Sequence, residues 1–168
     1  MAFTVEDGTI VAGANAYVTV AYADDYHTER GNSLWTGSDT VKQQAIVRAT
    51  DYIDGRYSSR FIGYITDATQ ALCWPRTDAA SYDTDEIPEP LKRACAEYAL
   101  RALSQSLAPD PVIDASGYSK VVTRRRVGPI ETYYQVDSNG IGSISRPYPL
   151  ADMQLRGLVV PGGTVFRA

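Results

Sequence analysis

The sequence predicts a mainly α-helical protein: a small helical bundle that carries a β-hairpin and an extended C-terminal arm. Three observations lead there. Two stretches, about 39–57 and 89–107, repeat apolar residues at helical spacing. Lys120–Val127 and Ile130–Val136 are rich in β-branched residues and tyrosine, with Gly128-Pro129 between them. Beyond Val136 the chain is broken by Asn139-Gly140, Gly142, Pro147, Pro149, Pro161 and Gly162-Gly163.

The elements follow in order. Residues 1–16, with Gly8, Gly13 and Asn15, read as an extended N-terminal arm with turns. Thr19 can cap a first helix at about 20–30, with Tyr22 and Tyr26 one turn apart and Gly31 as its stop. Ser38 or Asp39 caps a second helix, in which Val41, Ala45, Ile46, Ala49, Tyr52 and Ile53 form an apolar stripe. Thr66 or Asp67 starts a short helix through Leu72, which Trp74-Pro75 ends. Residues 77–88 read as a surface loop. Pro90 suits the first turn of a third long helix, striped by Leu91, Ala94, Cys95, Tyr98, Ala99, Ala102 and Leu103. Leu150–Leu155 can make a helical turn or two. The expected division is an arm at 1–16, a helical core at 17–114, the hairpin at 115–136 and the extended arm at 137–168. A tail that long packs poorly on its own domain, so a neighbouring subunit or partner is expected to order it.

The totals limit the function. The 168 residues suffice for one domain with a core, and 44% apolar with 21% charged residues is a globular composition. A net charge of −4 lacks the overall basic footprint of most DNA-binding proteins. No apolar run is long enough to span a membrane, and the first residues do not read as a signal peptide. Cys73 and Cys95 lack metal or redox spacing and read as small buried residues of a reducing cytoplasm.

A search for chemistry finds no reaction centre. His27 is the only histidine and reads as a helix-surface residue; no serine sits in a nucleophile elbow. Asp83, Asp85 and Glu86 lack the spacing of a calcium loop and read as a solvated acidic stretch. The glycines form no phosphate-binding loop. The expectation is a protein that is not an enzyme and needs no cofactor.

The concentrated charge is Arg124-Arg125-Arg126, with Lys120 before it and Tyr133 and Tyr134 on the partner strand. Arginine beside tyrosine suits a protein interface, contact with a DNA backbone, or an ordinary solvated strand. Val159, Val160, Val165 and Phe166 are costly to leave in water, roughly 1.5–3 kcal/mol each relative to full burial. They are candidate contacts of the C-terminal arm with another subunit.

Asn15-Ala-Tyr-Val, Arg48-Ala-Thr-Asp-Tyr-Ile-Asp, Ala71-Leu-Cys-Trp-Pro-Arg, Pro90-Leu-Lys-Arg-Ala and Tyr148-Pro-Leu-Ala-Asp, in this order, carry a resemblance. The chain resembles a family of tailed-bacteriophage head-to-tail adaptors, part of which bears the label of a DnaT-like single-stranded DNA-binding protein. None of these motifs is a catalytic signature. The resemblance implies a structural virion protein, made in the host cytoplasm and placed at the head-tail junction. Such adaptors form a ring, commonly twelve-fold, on the portal protein; they extend the DNA channel and dock the tail. The implied partners are further copies of the chain, the portal, a tail or tail-completion protein, and DNA passing without sequence-specific contact. The label implies instead a single-stranded DNA-binding or primosomal accessory protein.

Overall fold

The computed structural model describes residues 2–79, 82–110, 124–127, 130–133 and 146–160. The chain divides into two compact units, Met1–Leu107 with Pro147–Ala168, and Ala108–Arg146. The first is helical. Its elements are α1 (Val20–Glu29), α2 (Asp39–Tyr57), α3 (Glu89–Ala102) and α4 (Pro149–Gln154), the last followed by a 3-10 turn at Leu155–Gly157. The second contains an antiparallel hairpin of β3 (Arg124–Val127) and β4 (Ile130–Tyr133). To this extent the expected fold class is the observed one. No helix among the described residues is long and apolar enough to cross a membrane.

The helix starts follow their capping residues. The Thr19 hydroxyl accepts from the Tyr22 amide at 3.1 Å, and Ser38 caps α2 through the Val41 amide. Gly31 takes φ +63 after α1, the left-handed conformation expected of a helix stop. Helix α2 packs along α3 with Ala45, Ile46, Ala49, Thr50, Ile53 and Tyr57 buried, and α3 answers with Leu91, Ala94, Cys95, Tyr98, Ala99 and Ala102. Four alanines on α3 let the helices approach closely. Two members of the expected α2 stripe differ: Val41 in the first turn is exposed, and Tyr52 is half-buried. Thr50 takes a core place that its polarity hides. Its hydroxyl meets the Tyr17 amide at 3.3 Å and the Cys95 sulfur at 3.6 Å, which satisfies it.

Three further expectations change. Helix α3 ends at Ala102 rather than near 107, because the Ser104 hydroxyl and amide both turn back to the Arg101 carbonyl and tighten the chain. No helix forms over 66–72. The Asp67 carboxylate accepts from the Thr69 amide at 2.7 Å and its hydroxyl at 2.6 Å, a local turn that competes with helix. The stretch expected as a surface loop from 77 begins instead as a strand. A second ribbon pairs β1 (Tyr64–Ile65) with β2 (Arg76–Thr77), and Ala79 and Ile87 beyond it are buried. Gly63 makes that ribbon possible. It has φ +68, and a Cβ there would lie 2.2 Å from the Thr77 carbonyl oxygen.

Both ends of the described chain lie on the core. Near the start, the buried Glu6 carboxylate accepts from the amides of Gly8, Ile10 and Val11 at 2.9–3.0 Å. Asn15 ties the same loop through the Thr4 amide and the Ala2 carbonyl. Near the end, Tyr148, Ala151, Leu155 and Leu158 are buried among α2 and α3, and Val159 bridges Phe61. The expected poor packing of the tail on its own domain therefore does not hold over Tyr148–Val160. Spacing explains the difference: Ala151, Leu155 and Leu158 recur at helical intervals, a period obscured by Pro147 and Pro149. Truncation before Tyr148 should abolish cooperative unfolding, and Leu155→Ala should cost about 2–5 kcal/mol by denaturant titration. Truncation after Val160 should leave that stability unchanged.

Candidate functional site

The motif residues gather inside the helical unit. Asp54, from the Arg48–Asp54 motif, accepts from the Tyr17 hydroxyl at 2.5 Å and the Cys73 amide at 2.9 Å. Burial pushes its carboxyl above the ordinary range, against the lowering effect of those two donors. Trp74 is fully buried against Phe61 and Tyr82. Arg76 is buried too, and its guanidinium donates to the carbonyls of Ile62 at 2.7 Å, Gly63 at 2.8 Å and Cys73 at 3.2 Å. These bonds close the ribbon onto the core.

A second polar knot joins α2, α3 and the start of α4. Asp152 accepts from the Tyr57 hydroxyl at 2.8 Å, the Tyr148 amide at 3.1 Å and the Tyr98 hydroxyl, with the Arg56 guanidinium 3.9 Å away. Burial pushes the Asp152 carboxyl up, but the Tyr98 and Tyr57 hydroxyls, the Tyr148 amide and Arg56 outweigh it and hold it below its ordinary value. This knot was not legible in the sequence. Its one signal was the Tyr148–Asp152 motif.

His27 corrects an expectation. It is 1% exposed, not a surface residue. Its Nε2 lies 3.1 Å from the Ala96 carbonyl oxygen and its Nδ1 lies 3.0 Å from the Asn32 amide nitrogen. A neutral ring with the proton on Nε2 satisfies both: it donates to Ala96 and accepts from Asn32. Trp35 covers the ring, and burial lowers the pKa.

The Cys73 thiol is pushed up to about 12 by burial and by Asp54, and the Cys95 thiol to about 12 by burial, so neither is a nucleophile at neutral pH. Among the described residues no group of His, Cys, Asp or Glu could hold a metal ion. An open groove of about 570 Å³ between the N-terminal segment and α2 is lined by Phe3, Asn15, Gln43, Gln44 and Arg48 among others. It contains no carboxylate and no acid–base pair.

The surface residues singled out by sequence fall as follows. Arg124, Arg125 and Arg126 lie in β3, and Tyr133 lies in β4. The register opposes Arg124 to Tyr133 and Arg126 to Glu131. Strand alternation then places positions 124, 126, 131 and 133 on one face. Lys120, Tyr134, Val165 and Phe166 lie outside the described residues. Val159 is partly buried against its own core, and Val160 is 53% exposed.

A family model described as "Putative DnaT-like ssDNA binding protein" matches residues 1–168, and the chain belongs to that family. No curated protein and no solved structure matches the chain significantly. The match carries the DNA-binding description; a head-to-tail adaptor role rests on the resemblance alone.

The lowered His27 pKa has a defined sign. The neutral ring stabilises the fold fully above the unfolded value of about 6.5, and this is lost as pH falls toward the lower folded value. Stability should therefore drop between about pH 7 and 5 more steeply in the natural protein than in His27→Gln, as read by thermal unfolding. An equal slope would remove His27 from that role. Asp152 acts in a separate window. Its contribution is present above about 3.8 and is lost as pH falls through its lower folded value. Asp152→Ala should cost about 2–3 kcal/mol at neutral pH, because three donors lose a charged acceptor.

Proposed function

We propose that this chain is a structural virion protein: one subunit of a ring at the head-to-tail junction of a tailed bacteriophage. It sits on the portal, extends the DNA channel and offers the tail a docking surface. It works by contact, without catalysis or cofactor. The observation that carries this reading is the hairpin. Among the described residues, β3 and β4 pair only with each other, in a compact unit separate from the helical one. A lone two-stranded hairpin is marginal in water, and a neighbouring subunit is the natural source of further support.

Two other features support the reading. The motif residues Tyr17, Asp54, Trp74, Arg76 and Asp152, together with Tyr98, are committed to holding the fold, so they act by shaping a subunit. The acidic balance also suits a channel wall, since repulsion of phosphates keeps DNA sliding. A closed ring needs heterologous contacts, each subunit giving one surface and receiving another.

A second reading is single-stranded DNA binding, favoured by the family description and by the opposition of Arg124 to Tyr133. Five tyrosines of the helical unit argue against it there, although Tyr64 is exposed. Tyr17, Tyr26, Tyr57, Tyr98 and Tyr148 are all buried and offer bases no stacking face.

Quantitative mass spectrometry of purified virions distinguishes the two. The ring reading expects about one copy of this chain per portal subunit. Absence from the virion would end it. In that case oligonucleotide binding should weaken steeply with salt, and Arg124→Glu with Arg126→Glu should abolish it.

A further inference from the structure

The exposed side of the β1–β2 ribbon lies among chain segments almost free of cations. From Met1 to Glu29 the chain contains no lysine or arginine. Between Arg60 and Lys92 it contains only Arg76, which is buried on three carbonyls. The fold brings these cation-free stretches together. Gly8 packs so tightly on the Asp85 carbonyl that a Cβ there would lie 1.9 Å from the oxygen. The Thr66 hydroxyl reaches the Thr84 carbonyl at 3.4 Å. Asp7, Asp67, Asp83, Asp85 and Glu86 therefore surround one loop cluster, and all are exposed. The ion pairs among the described residues involve other carboxylates.

Acidity alone would mark only a solvated loop. The ribbon beside it adds apolar surface and backbone. Tyr64 is 71% exposed and Ile65 is 49% exposed, adjoining Thr66 at the edge of the acidic cluster. Among the described residues β1 pairs only with β2, so its other edge has no strand partner. An exposed aromatic and an aliphatic side chain on an open strand edge, rimmed by carboxylates, fit an extended cationic segment.

The same sequence contains such a segment. Arg124-Arg125-Arg126 forms most of β3, whose second edge is likewise unpaired among the described residues. We propose that the ribbon face of one copy docks strand Arg124–Val127 of a second copy. Positions 124 and 126 share a strand face and meet the carboxylates, while the backbone lies along the open edge of β1. The contact is heterologous, an acidic surface on one subunit and a cationic strand from the next. It rests on the ring reading and supplies the interface that reading requires.

The test uses the full-length protein in sedimentation velocity at ~0.05 M and ~0.5 M salt, where screening separates charge-driven contacts from others. One variant combines Asp83→Lys, Asp85→Lys and Glu86→Lys; the other combines Arg124→Glu and Arg126→Glu. Each alone should weaken self-association about tenfold or more, as high salt should for the natural protein. Mixed, the two should associate again, because the lysine surface of one accepts the glutamate strand of the other and the unaltered pair also matches. Circular dichroism checks that each variant is folded. A natural protein that stays monomeric, variants that associate normally, or a mixture that fails to recover would each overturn the contact. If association is intact while the arginine variant loses oligonucleotide binding, the strand's partner is nucleic acid and the proposal falls. A virion ratio near one per portal subunit alongside normally associating variants would leave the ring reading standing and remove only this interface.

Discussion

The Asp152 carboxylate holds the helical unit together. It gathers hydroxyls from α2 and α3, an amide from the start of α4 and a nearby arginine onto one group. Segments far apart in sequence meet there. Tyr57 and Tyr98 are each large enough to fill the core and long enough to place a hydroxyl on the same acceptor, while Tyr148 reaches it through its backbone amide. The aromatic rings also pack on one another: Tyr148 meets Tyr98 edge-on at 5.6 Å, and its hydroxyl caps the Leu107 carbonyl at 2.9 Å. The terminal segment is thereby fixed to the bundle by apolar burial and by a charged acceptor together.

A similar economy governs the other motifs. Asp54 joins the N-terminal segment to the loop before Trp74, and Arg76 joins that loop to the turn after α2. Glu6 holds its own loop by three amides. Each is a charged group brought into the interior and satisfied by neutral donors or carbonyls, which is expensive to disturb and specific in geometry. Their bonds place the loops of the helical unit.

Charge is distributed unevenly in consequence. Carboxylates without basic neighbours gather around the ribbon, while arginines gather in β3. Where arginines do occur in the helical unit, several are occupied: Arg30 lies over Tyr26, Arg101 pairs with Glu97 at 2.6 Å, and Arg93 pairs with Glu89 at 3.1 Å. The acidic cluster of the helical unit and the arginine-rich strand β3 are thus opposite in sign along the sequence.

The sequence by itself determined the elements whose cause is local. Thr19, Ser38 and Gly31 mark helix ends through their own side chains or backbone freedom, and the stripes of α2 and α3 follow from period alone. The hairpin was legible from β-branched runs about Gly128-Pro129. The tertiary structure alone decided whatever depends on distant partners. Thr50 and His27 look like surface residues until Cys95, Tyr17, Ala96 and Asn32 arrive to satisfy them. The β1–β2 ribbon spans two residues per strand, too short for periodicity to show. The acidic cluster likewise requires Gly8, next to Asp7, to pack on the Asp85 carbonyl across the fold. Polarity and period are properties of a residue and its neighbours in sequence; satisfaction of a buried polar group and the sign of a surface are properties of what the fold brings alongside.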